Sequence, residues 1–302
     1  MPRFLRPALA AAALPAIALL VSASTGVAPA KTTPSVTKFH PHPLELVHGA
    51  KPNGITNSAL GRDFTAYSSN WSGYVATGSW SGAQFRYVQA TFTVPSLNCA
   101  AAPGTTSAPA TVADWVGLDG VSYNFGKTSP SVEQDGILGQ CVSGTAQYAA
   151  WWENFPNAPT YPTLTISPGD AVEADVYFNP SRTAAQGQYN YTLTDVTTGQ
   201  SFNTPWEKCG ASSCANSSAE VITEAPTDGT TGLLLPLADY GLSNFENIAM
   251  TDKAGQRAGV TSSNWKSTNV VLVDSATGTR TLSTPGPLFG GQAFSTFWKA
   301  AS

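Results

Sequence analysis

The sequence contains few charged residues and no excess of basic ones. Asp, Glu, Lys and Arg make up 11% of the 302 residues, against roughly a quarter in an average soluble protein. The 15 basic and 19 acidic residues give a net charge of -4, so the chain lacks the basic surface that nucleic-acid phosphates require. A hydrophobic content of 42% and an aromatic content of 10% exclude a disordered polar chain. The composition indicates a globular protein with a polar but mostly uncharged surface.

Histidine is missing from most of the chain. The three histidines are His40, His42 and His48. Six of the basic residues and two of the acidic ones precede Thr65, which leaves nine basic and seventeen acidic residues from there on and a net charge of -8. Ser-His-Asp and Cys-His hydrolases need an imidazole base, and zinc sites nearly always use one. The commonest hydrolase mechanisms are therefore excluded for this part of the chain.

A run of apolar residues occurs near the N-terminus. Arg3 and Arg6 precede apolar residues 8–21, and small residues then lead to Ala28-Pro29-Ala30, the pattern of a secretory signal peptide. The run of about 14 residues is shorter than the roughly 20 that a membrane span needs. We therefore expect a signal peptide at residues 1–30, a secreted, extracellular protein, and no membrane attachment after cleavage.

Residues 31–64 differ in composition from the rest of the chain. They contain all three histidines, four basic residues and two acidic ones, and Pro and Gly interrupt any periodicity. This composition is typical of a linker or pro-segment rather than of a core. We predict a pro-segment or linker at residues 31–64 and a single folded domain at residues 65–302.

The cysteines are Cys99, Cys141, Cys209 and Cys214. An even number of cysteines in a secreted chain indicates disulfides, and four cysteines allow three pairings. A turn-like Gly-Ala-Ser-Ser stretch separates the last two cysteines, which favours pairing Cys209 with Cys214 and Cys99 with Cys141. A zinc site is the weaker alternative.

Apolar and polar residues alternate through much of the domain. Apolar side chains recur at every second position in residues 88–94 and 172–178, and turn residues such as Pro168-Gly169-Asp170 separate such runs. The alternation, with turns every 8–12 residues and no sustained stripe of 3.6-residue period, predicts an all-β domain. An antiparallel sandwich or barrel would fit this pattern.

Without histidine, carboxylates and amides are the candidate catalytic groups. Glu153 follows two tryptophans, an environment that raises a carboxyl pKa by desolvation. Glu220, Ile222 and Glu224 would share one face of a strand, which suggests a lined cleft.

Carboxylates and many tryptophans also suit a carbohydrate-active enzyme or a lectin. However, Glu220 and Glu224 would lie about 13 Å apart on a regular strand, and the two carboxylates of a glycosidase lie about 5 to 9.5 Å apart. This function is kept as the alternative, with an inert secreted domain as a third possibility.

Six short motifs follow one another in the order found in a known family. They are Asn70-Trp-Ser-Gly73, Ala90-Thr-Phe-Thr-Val-Pro95, Trp115-Val-Gly-Leu-Asp-Gly120, Glu133-Gln-Asp-Gly136, Tyr148-Ala-Ala-Trp-Trp-Glu153 and Ala219-Glu-Val-Ile-Thr-Glu-Ala-Pro226. Together they resemble the glutamic peptidases, or eqolisins, of peptidase family G1, from about Asn70 to Trp298. The resemblance implies a concanavalin A-like sandwich of two antiparallel sheets. It also implies a secreted acid endopeptidase that acts on polypeptides without a metal or cofactor, and we expect a monomer.

The resemblance assigns the catalytic dyad to Gln134 and Glu220. Gln134 lies two residues before a glycine, and Glu220 lies in the family's Ala-Glu-Trp-Ile-type run, although Val221 replaces the tryptophan here. By the same resemblance, four residues are candidates for supporting the dyad or lining the cleft: Trp71, Trp115, Asp119 and Glu153.

The chemistry of amide hydrolysis suits these two side chains. An ionised Glu220 can accept a proton from water and pass it to the leaving amine, and the Gln134 amide can donate to the developing oxyanion at any pH. With an ordinary pKa of about 4.3, Glu220 would need either a lowered pKa or a reduced ionised fraction to work in acid. Alternation predicts that Glu133 and Asp135 point away from the dyad.

The basic and histidine residues of the pro-segment suggest a regulatory hypothesis. They would pair with an acidic cleft and block it until the pH falls. Since histidines gain charge below about pH 6.5, their protonation is expected to tighten this pairing. Release is then expected at lower pH, as the carboxylates protonate.

Overall fold

The computed structural model describes residues 39–46, 64–78, 84–121 and 128–301. The strands in them are β1 (Phe39–His40), β2 (Phe64–Ser68), β3 (Trp71–Gly78), β4 (Phe85–Thr93), β5 (Ala110–Val121), β6 (Thr128–Val142), β7 (Thr145–Asn154), β8 (Ala171–Phe178), β9 (Tyr189–Asp195), β10 (Gln200–Asn203), β11 (Ser218–Glu224), β12 (Thr227–Asp228), β13 (Leu242–Asp252), β14 (Arg257–Ala258), β15 (Trp265–Val273), β16 (Thr281–Pro285) and β17 (Phe294–Trp298). The predicted all-β fold is confirmed, and the predicted signal peptide at residues 1–30 lies outside the described residues. Within the described part of the chain, no helix is long and apolar enough to cross a membrane.

Most of the strands form one curled sheet. Its order is β10-β9-β8-β4-β13-β17-β16-β15-β3-β11-β5-β6-β7, with every neighbouring pair antiparallel. Strand β2 joins β15 in parallel, β14 joins β13, and β1 pairs with β12 as a separate two-stranded sheet. The curl places β3, β5, β6 and β11 opposite β4, β8, β9 and β13, which makes the fold a sandwich.

The main hydrophobic core lies between these two layers. In β8 and β9 every second residue is buried, as alternation predicts for a strand with one solvated face. Val172 and Val176 of β8 belong to the same cluster as Val116 and Leu118 of β5. Burial of one such side chain is worth about 1.5–3 kcal/mol, so this cluster is what holds the two layers together.

Strands β3, β5 and β11 are buried on both faces. One face belongs to the main core, and the other carries a second hydrophobic cluster that includes Trp71, Trp115 and Ile222. Phe39 and Leu44 pack in this second cluster and are almost fully buried. Part of the segment that composition placed outside any core therefore covers the outer face of this layer.

Two disulfides tie loops to the sandwich. Cys99 is bonded to Cys141 of β6, and Cys209 to Cys214 in the segment before β11. This is the pairing that the sequence favoured. Glu133 lies close to the second pair of sulfurs, but disulfide sulfurs have no thiolate to offer a metal ion.

Candidate active site

Four residues on adjacent strands form a row across the outer layer. Glu220 of β11 pairs with Gly117 of β5, which pairs in turn with Gln134 of β6. Gln134 then pairs with Glu153 of β7. Residues paired in this way point to the same face of a sheet. Since adjacent strands lie about 4.8 Å apart, two predicted dyad residues, separated by one strand, can both reach a water molecule between them.

The residue between the two dyad members is a glycine for a steric reason. A Cβ atom built on Gly117 would lie 2.8 Å from the Trp115 ring and 3.3 Å from the Cβ of Gln134. The first distance is too short for two carbon atoms in van der Waals contact. Gly117 therefore leaves the space between Glu220 and Gln134 open, a role that sequence reasoning did not assign to it.

Glu153 orients the amide group of Gln134. The Gln134 Nε2 atom donates a hydrogen bond of 2.8 Å to Oε2 of Glu153, and both side chains are buried. The Oε1 atom of Gln134 has no hydrogen-bond partner among the described residues. The carboxyl of Glu153 has a pKa well above its ordinary value because of desolvation, although the Gln134 hydrogen bond opposes this shift.

Glu220 is fully buried, and within the described residues neither of its carboxyl oxygens makes a hydrogen bond. Burial raises its pKa well above the ordinary value, and the Asp119 carboxylate adds to this, while the Ser218 hydroxyl opposes it. In this structure the pKa shift of Glu220 is therefore opposite to the lowered pKa that was one of the two sequence-based options. The carboxyl is instead held towards its protonated form.

Asp119 supports the strand that carries Glu220. Its carboxylate accepts hydrogen bonds from the backbone amides of Asn216 and Ser217, at 2.7 and 2.8 Å, and a third from the Ser217 hydroxyl. These two residues lie directly before β11. Asp119 adopts a positive φ of 71°, a conformation that Asp and Asn tolerate better than most residues. Asp119 thus supports the backbone directly before β11, and its charge also acts on Glu220.

Two tryptophans and a third glutamate line the face beside the row. Trp71 and Trp115 meet edge to face with ring centroids 5.0 Å apart. The indole nitrogen of Trp115 donates to Oε2 of Glu224 at 2.9 Å, and Asn70 donates to the other oxygen. Sequence reasoning placed Glu224 on the face of Glu220 but did not assign it to the site. The signal that could have assigned Glu224 to the site is Trp115, the tryptophan that donates to it.

The two glutamates of β11 do not have glycosidase geometry. Pairing of β11 with both neighbours runs without a register shift from Glu220 to Glu224, so no bulge shortens the distance of about 13 Å that a regular strand imposes. That is beyond the range of about 5–9.5 Å in glycosidases. The observed geometry therefore does not favour the carbohydrate-active alternative.

Comparison with known proteins identifies the family. The profile of the Peptidase A4 family matches residues 69–284, which is most of the chain. The chain belongs to this family. It is a glutamic peptidase, and hence a hydrolase, as the six motifs indicated.

Solved structures of glutamic peptidases share the fold of this peptidase. Scytalido-glutamic peptidase with a peptide-based transition-state analogue is 23% identical, with a TM-score of 0.59 over 76% of this chain and 98% of that one. SCP-B, an eqolisin in complex with the tripeptide Ala-Ile-His, is 22% identical, with a TM-score of 0.57 over 76% and 98%. Aspergilloglutamic peptidase from Aspergillus niger is 22% identical, with a TM-score of 0.52 over 63% and 99%. No curated protein matches the chain.

The two acidic neighbours of Gln134 point away from the row, as alternation predicted. Glu133 accepts a hydrogen bond from the Gly210 backbone amide, and the charge of Asp175 in the opposite layer acts on Asp135. Both carboxyls are fully buried, and desolvation raises the pKa of each well above its ordinary value. In this peptidase they are part of the sandwich interior.

Residues 39–46, here called the strap, lie along the outer face of the peptidase. The backbone carbonyl of His42 accepts hydrogen bonds from the Trp71 indole at 2.9 Å and from Asn70 at 3.2 Å. The backbone amide of His42 donates to Glu224 at 2.9 Å, and Thr227 donates to the carbonyl of His40. An extended chain held through its backbone is how peptides bind beside a strand.

The strap also reaches the row itself. The Nδ1 atom of His40 lies 2.6 Å from Oε1 of Glu153, the glutamate that orients Gln134. Sequence reasoning predicted that this segment faces an acidic cleft, and the His40 contact is of that kind. It did not predict that the backbone of the segment makes most of the polar contacts, because a backbone leaves no signal in composition.

Proposed function

We propose that this glutamic peptidase is a secreted acid endopeptidase in which Glu220 and Gln134 form the catalytic dyad, and that it is made as a zymogen whose strap covers the cleft. The observation that carries the proposal is the row of Glu220, Gly117 and Gln134 on one buried face. The free oxygens of both side chains suit a site that binds water and a substrate carbonyl.

In the proposed reaction, water lies between the two dyad residues. Ionised Glu220 removes a proton from it as the water oxygen bonds to the carbonyl carbon, and a Gln134 N–H donates to the oxyanion that forms. When the C–N bond breaks, Glu220 passes the proton to the leaving nitrogen. Glu153 occupies one donor of the Gln134 amide, so the orientation of the remaining donor and of Oε1 is set before substrate binds.

The crowding of carboxyl groups supports activity in acid. Glu153, Glu220 and Glu224 share the covered face, and desolvation raises the pKa of each. Ionisation of all three at neutral pH would place several like charges in one cleft, which is unfavourable. Release of the strap would hydrate Glu220 and bring its pKa down towards the ordinary range, so that a single base can ionise while its neighbours stay protonated.

The test is hydrolysis of a protein substrate between pH 2 and 7 by the acid-treated full chain. Glu220→Gln and Gln134→Ala are expected to lower the rate by about a hundredfold or more, the usual effect of losing a transition-state donor or base. Glu246→Gln and Gln200→Ala, at exposed positions, are matched controls and should retain the rate. Proteolysis that persists in both dyad variants would show that the dyad is wrongly assigned.

Export is tested separately. Expression with residues 1–30 intact should release protein into the medium whose N-terminus, determined by mass spectrometry, lies at or beyond Lys31. Protein retained in the cell with Met1 in place would contradict secretion, with no bearing on the dyad.

A further inference from the structure

The side chain of Phe39 fills an aromatic pocket beside the row. Its ring meets the Trp151 ring edge to face, with centroids 5.3 Å apart, and lies 5.8 Å from the Tyr161 ring. Only 1% of Phe39 is exposed. The pocket is therefore closed around a single large side chain of the strap.

The pocket belongs to the same face as the dyad. Trp151 precedes Glu153 by two residues in β7, so the two point to one side of the sheet about 6.6 Å apart along the strand. Trp151 also pairs with Gly136, two residues from Gln134. The strap residue after Phe39 is His40, which touches Glu153. The pocket thus lies one residue along the strap from the position that contacts the Gln134–Glu153 pair.

The walls of the pocket are held by the protein and not by the strap. Trp151 is part of β7 and fully buried. Tyr161 follows Thr160, whose backbone exchanges two hydrogen bonds, of 2.8 and 3.0 Å, with the backbone of Trp152. Apart from the His40 side chain at Glu153, the strap's polar contacts at His40 and His42 are made through backbone atoms that any peptide carries. Discrimination between peptides must then come from side-chain pockets.

We propose that the surface formed by Trp151 and Tyr161 is a substrate subsite for an aromatic or large apolar side chain, which Phe39 occupies while the strap is in place. The inference rests on the proposed function, since it takes the strap to follow the path of a substrate. Phe39 then occupies the subsite as a substrate side chain would, and the peptidase should select a side chain of this kind at one fixed distance from the bond it cleaves.

The experiment uses alanine-rich peptides in which a single Phe is moved from position to position, with the cleaved bond located by mass spectrometry. At one fixed distance from that bond, Phe should raise kcat/KM by about tenfold or more over Ala, as burial of a large apolar side chain predicts. Tyr161→Ala should reduce this preference to below about threefold. Tyr177→Ala, of similar exposure but on β8 in the opposite layer, should leave it unchanged.

Equal kcat/KM for all Phe positions would overturn the subsite, and so would a preference that Tyr161→Ala does not alter. The proposed function would still stand if hydrolysis depended on Glu220. If the proposed function fails and no peptide is cleaved, the pocket can still be tested by a measurement that does not need catalysis. In the untreated full chain, amide hydrogen exchange of residues 39–46 should be faster in Tyr161→Ala than in Tyr177→Ala. Since the Tyr161 hydroxyl also interacts with the Phe39 backbone, Tyr161→Phe is a second control. Exchange faster in Tyr161→Ala than in both controls would support the pocket even if no peptide were cleaved, and exchange equal to that in Tyr161→Phe would contradict it.

Discussion

His40 and Glu153 lie with Nδ1 and Oε1 2.6 Å apart, and little of either side chain is exposed. Desolvation lowers the pKa of His40 and raises that of Glu153. A histidine whose pKa is lower under the strap than in free solution binds its proton more readily after release. Through His40, falling pH near the ordinary value of about 6.5 therefore favours release. This direction is opposite to the expectation that histidine protonation tightens the strap, and its cause is the desolvation of His40.

The first prediction isolates this histidine effect. His42 behaves like its neighbour, since desolvation and the charge of His40 lower its pKa and Glu45 only partly opposes this. The carboxyls of Glu153, Glu220 and Glu224 act in the opposite direction, because their raised pKa values favour the covered form in acid. The double variant His40→Asn, His42→Asn should keep the strap bound to a pH at least about half a unit lower. The midpoint of strap release, followed by amide hydrogen exchange of residues 39–46, measures this, and an unchanged midpoint would refute it.

The second prediction concerns Gly117. Its replacement by Ala places a methyl group 2.8 Å from the Trp115 ring and 3.3 Å from Gln134. Overpacking of this kind costs about 1–3 kcal/mol, and displacement of Gln134 should reduce kcat by about tenfold or more. Both are measurable, as a lower melting temperature and a lower turnover of a peptide substrate.

The control for Gly117→Ala is Gly139→Ala in β6. The three atoms nearest to a Cβ there are side-chain atoms of Leu97 and Tyr148, at 3.2–3.5 Å, and the Cβ would point to the face opposite Gln134. Gly139→Ala should retain its turnover. Equal turnover in both variants would show that the gap at Gly117 is not needed for the reaction.

The third prediction is that the Phe39 side chain keeps the strap bound to the rest of the protein. Phe39→Ala removes the ring that packs on Trp151 and Tyr161, and the loss of such burial weakens binding by about tenfold or more. At a mildly acidic pH, the initial rate of peptide hydrolysis by the full chain, before any cleavage of its own N-terminus, should rise accordingly. Phe289→Ala, which truncates an exposed phenylalanine outside the strap, is the control. A rate for Phe39→Ala no higher than that of the control would show that the ring does not hold the strap.

Part of the fold followed from local patterns. Alternation identified β4 and β8 because one face of each strand is buried and the other is solvated. It was uninformative for β5 and β11, whose outer faces are covered by a segment distant in sequence. The four tryptophan and carboxylate positions inferred beside the predicted dyad, Trp71, Trp115, Asp119 and Glu153, are all buried, but burial does not test their role.

Other features could not be predicted because they depend on register across strands. The gap at Gly117 exists only because Glu220 and Gln134 pair with the same residue from two sides. The strap offered no periodicity, and its hold on Trp71 and Glu224 is through the backbone of His42. Backbone hydrogen bonds do not depend on residue type and leave no trace in the composition. The composition of the strap therefore indicated only a linker or pro-segment.

The fourth prediction follows from the buried carboxyl groups. Desolvation raises the pKa of Asp114 to about 6 and that of Asp175 to about 7, and it raises those of Glu133 and Asp135 well above their ordinary values. A carboxyl whose pKa is higher in the folded state binds more protons there, so its stabilising effect is full below the unfolded pKa of about 4. That effect is lost as the pH rises through the folded pKa. The melting temperature should therefore be higher at pH 4 than at pH 7.

The substitution Asp135→Asn tests this pH dependence of stability most directly. Within the described residues neither carboxyl oxygen of Asp135 has a hydrogen-bond partner, and the charge of Asp175 adds to the desolvation that raises its pKa. Asp135→Asn removes the cost of ionisation, which is about 1.4 kcal/mol for each pH unit by which the folded pKa exceeds the unfolded one. The variant should melt higher than the wild type at pH 7 and close to it at pH 4, whereas Glu246→Gln, at an exposed position, should not change the pH dependence. An Asp135→Asn protein as sensitive to neutral pH as the wild type would show that this carboxyl stays ionised in the folded sandwich.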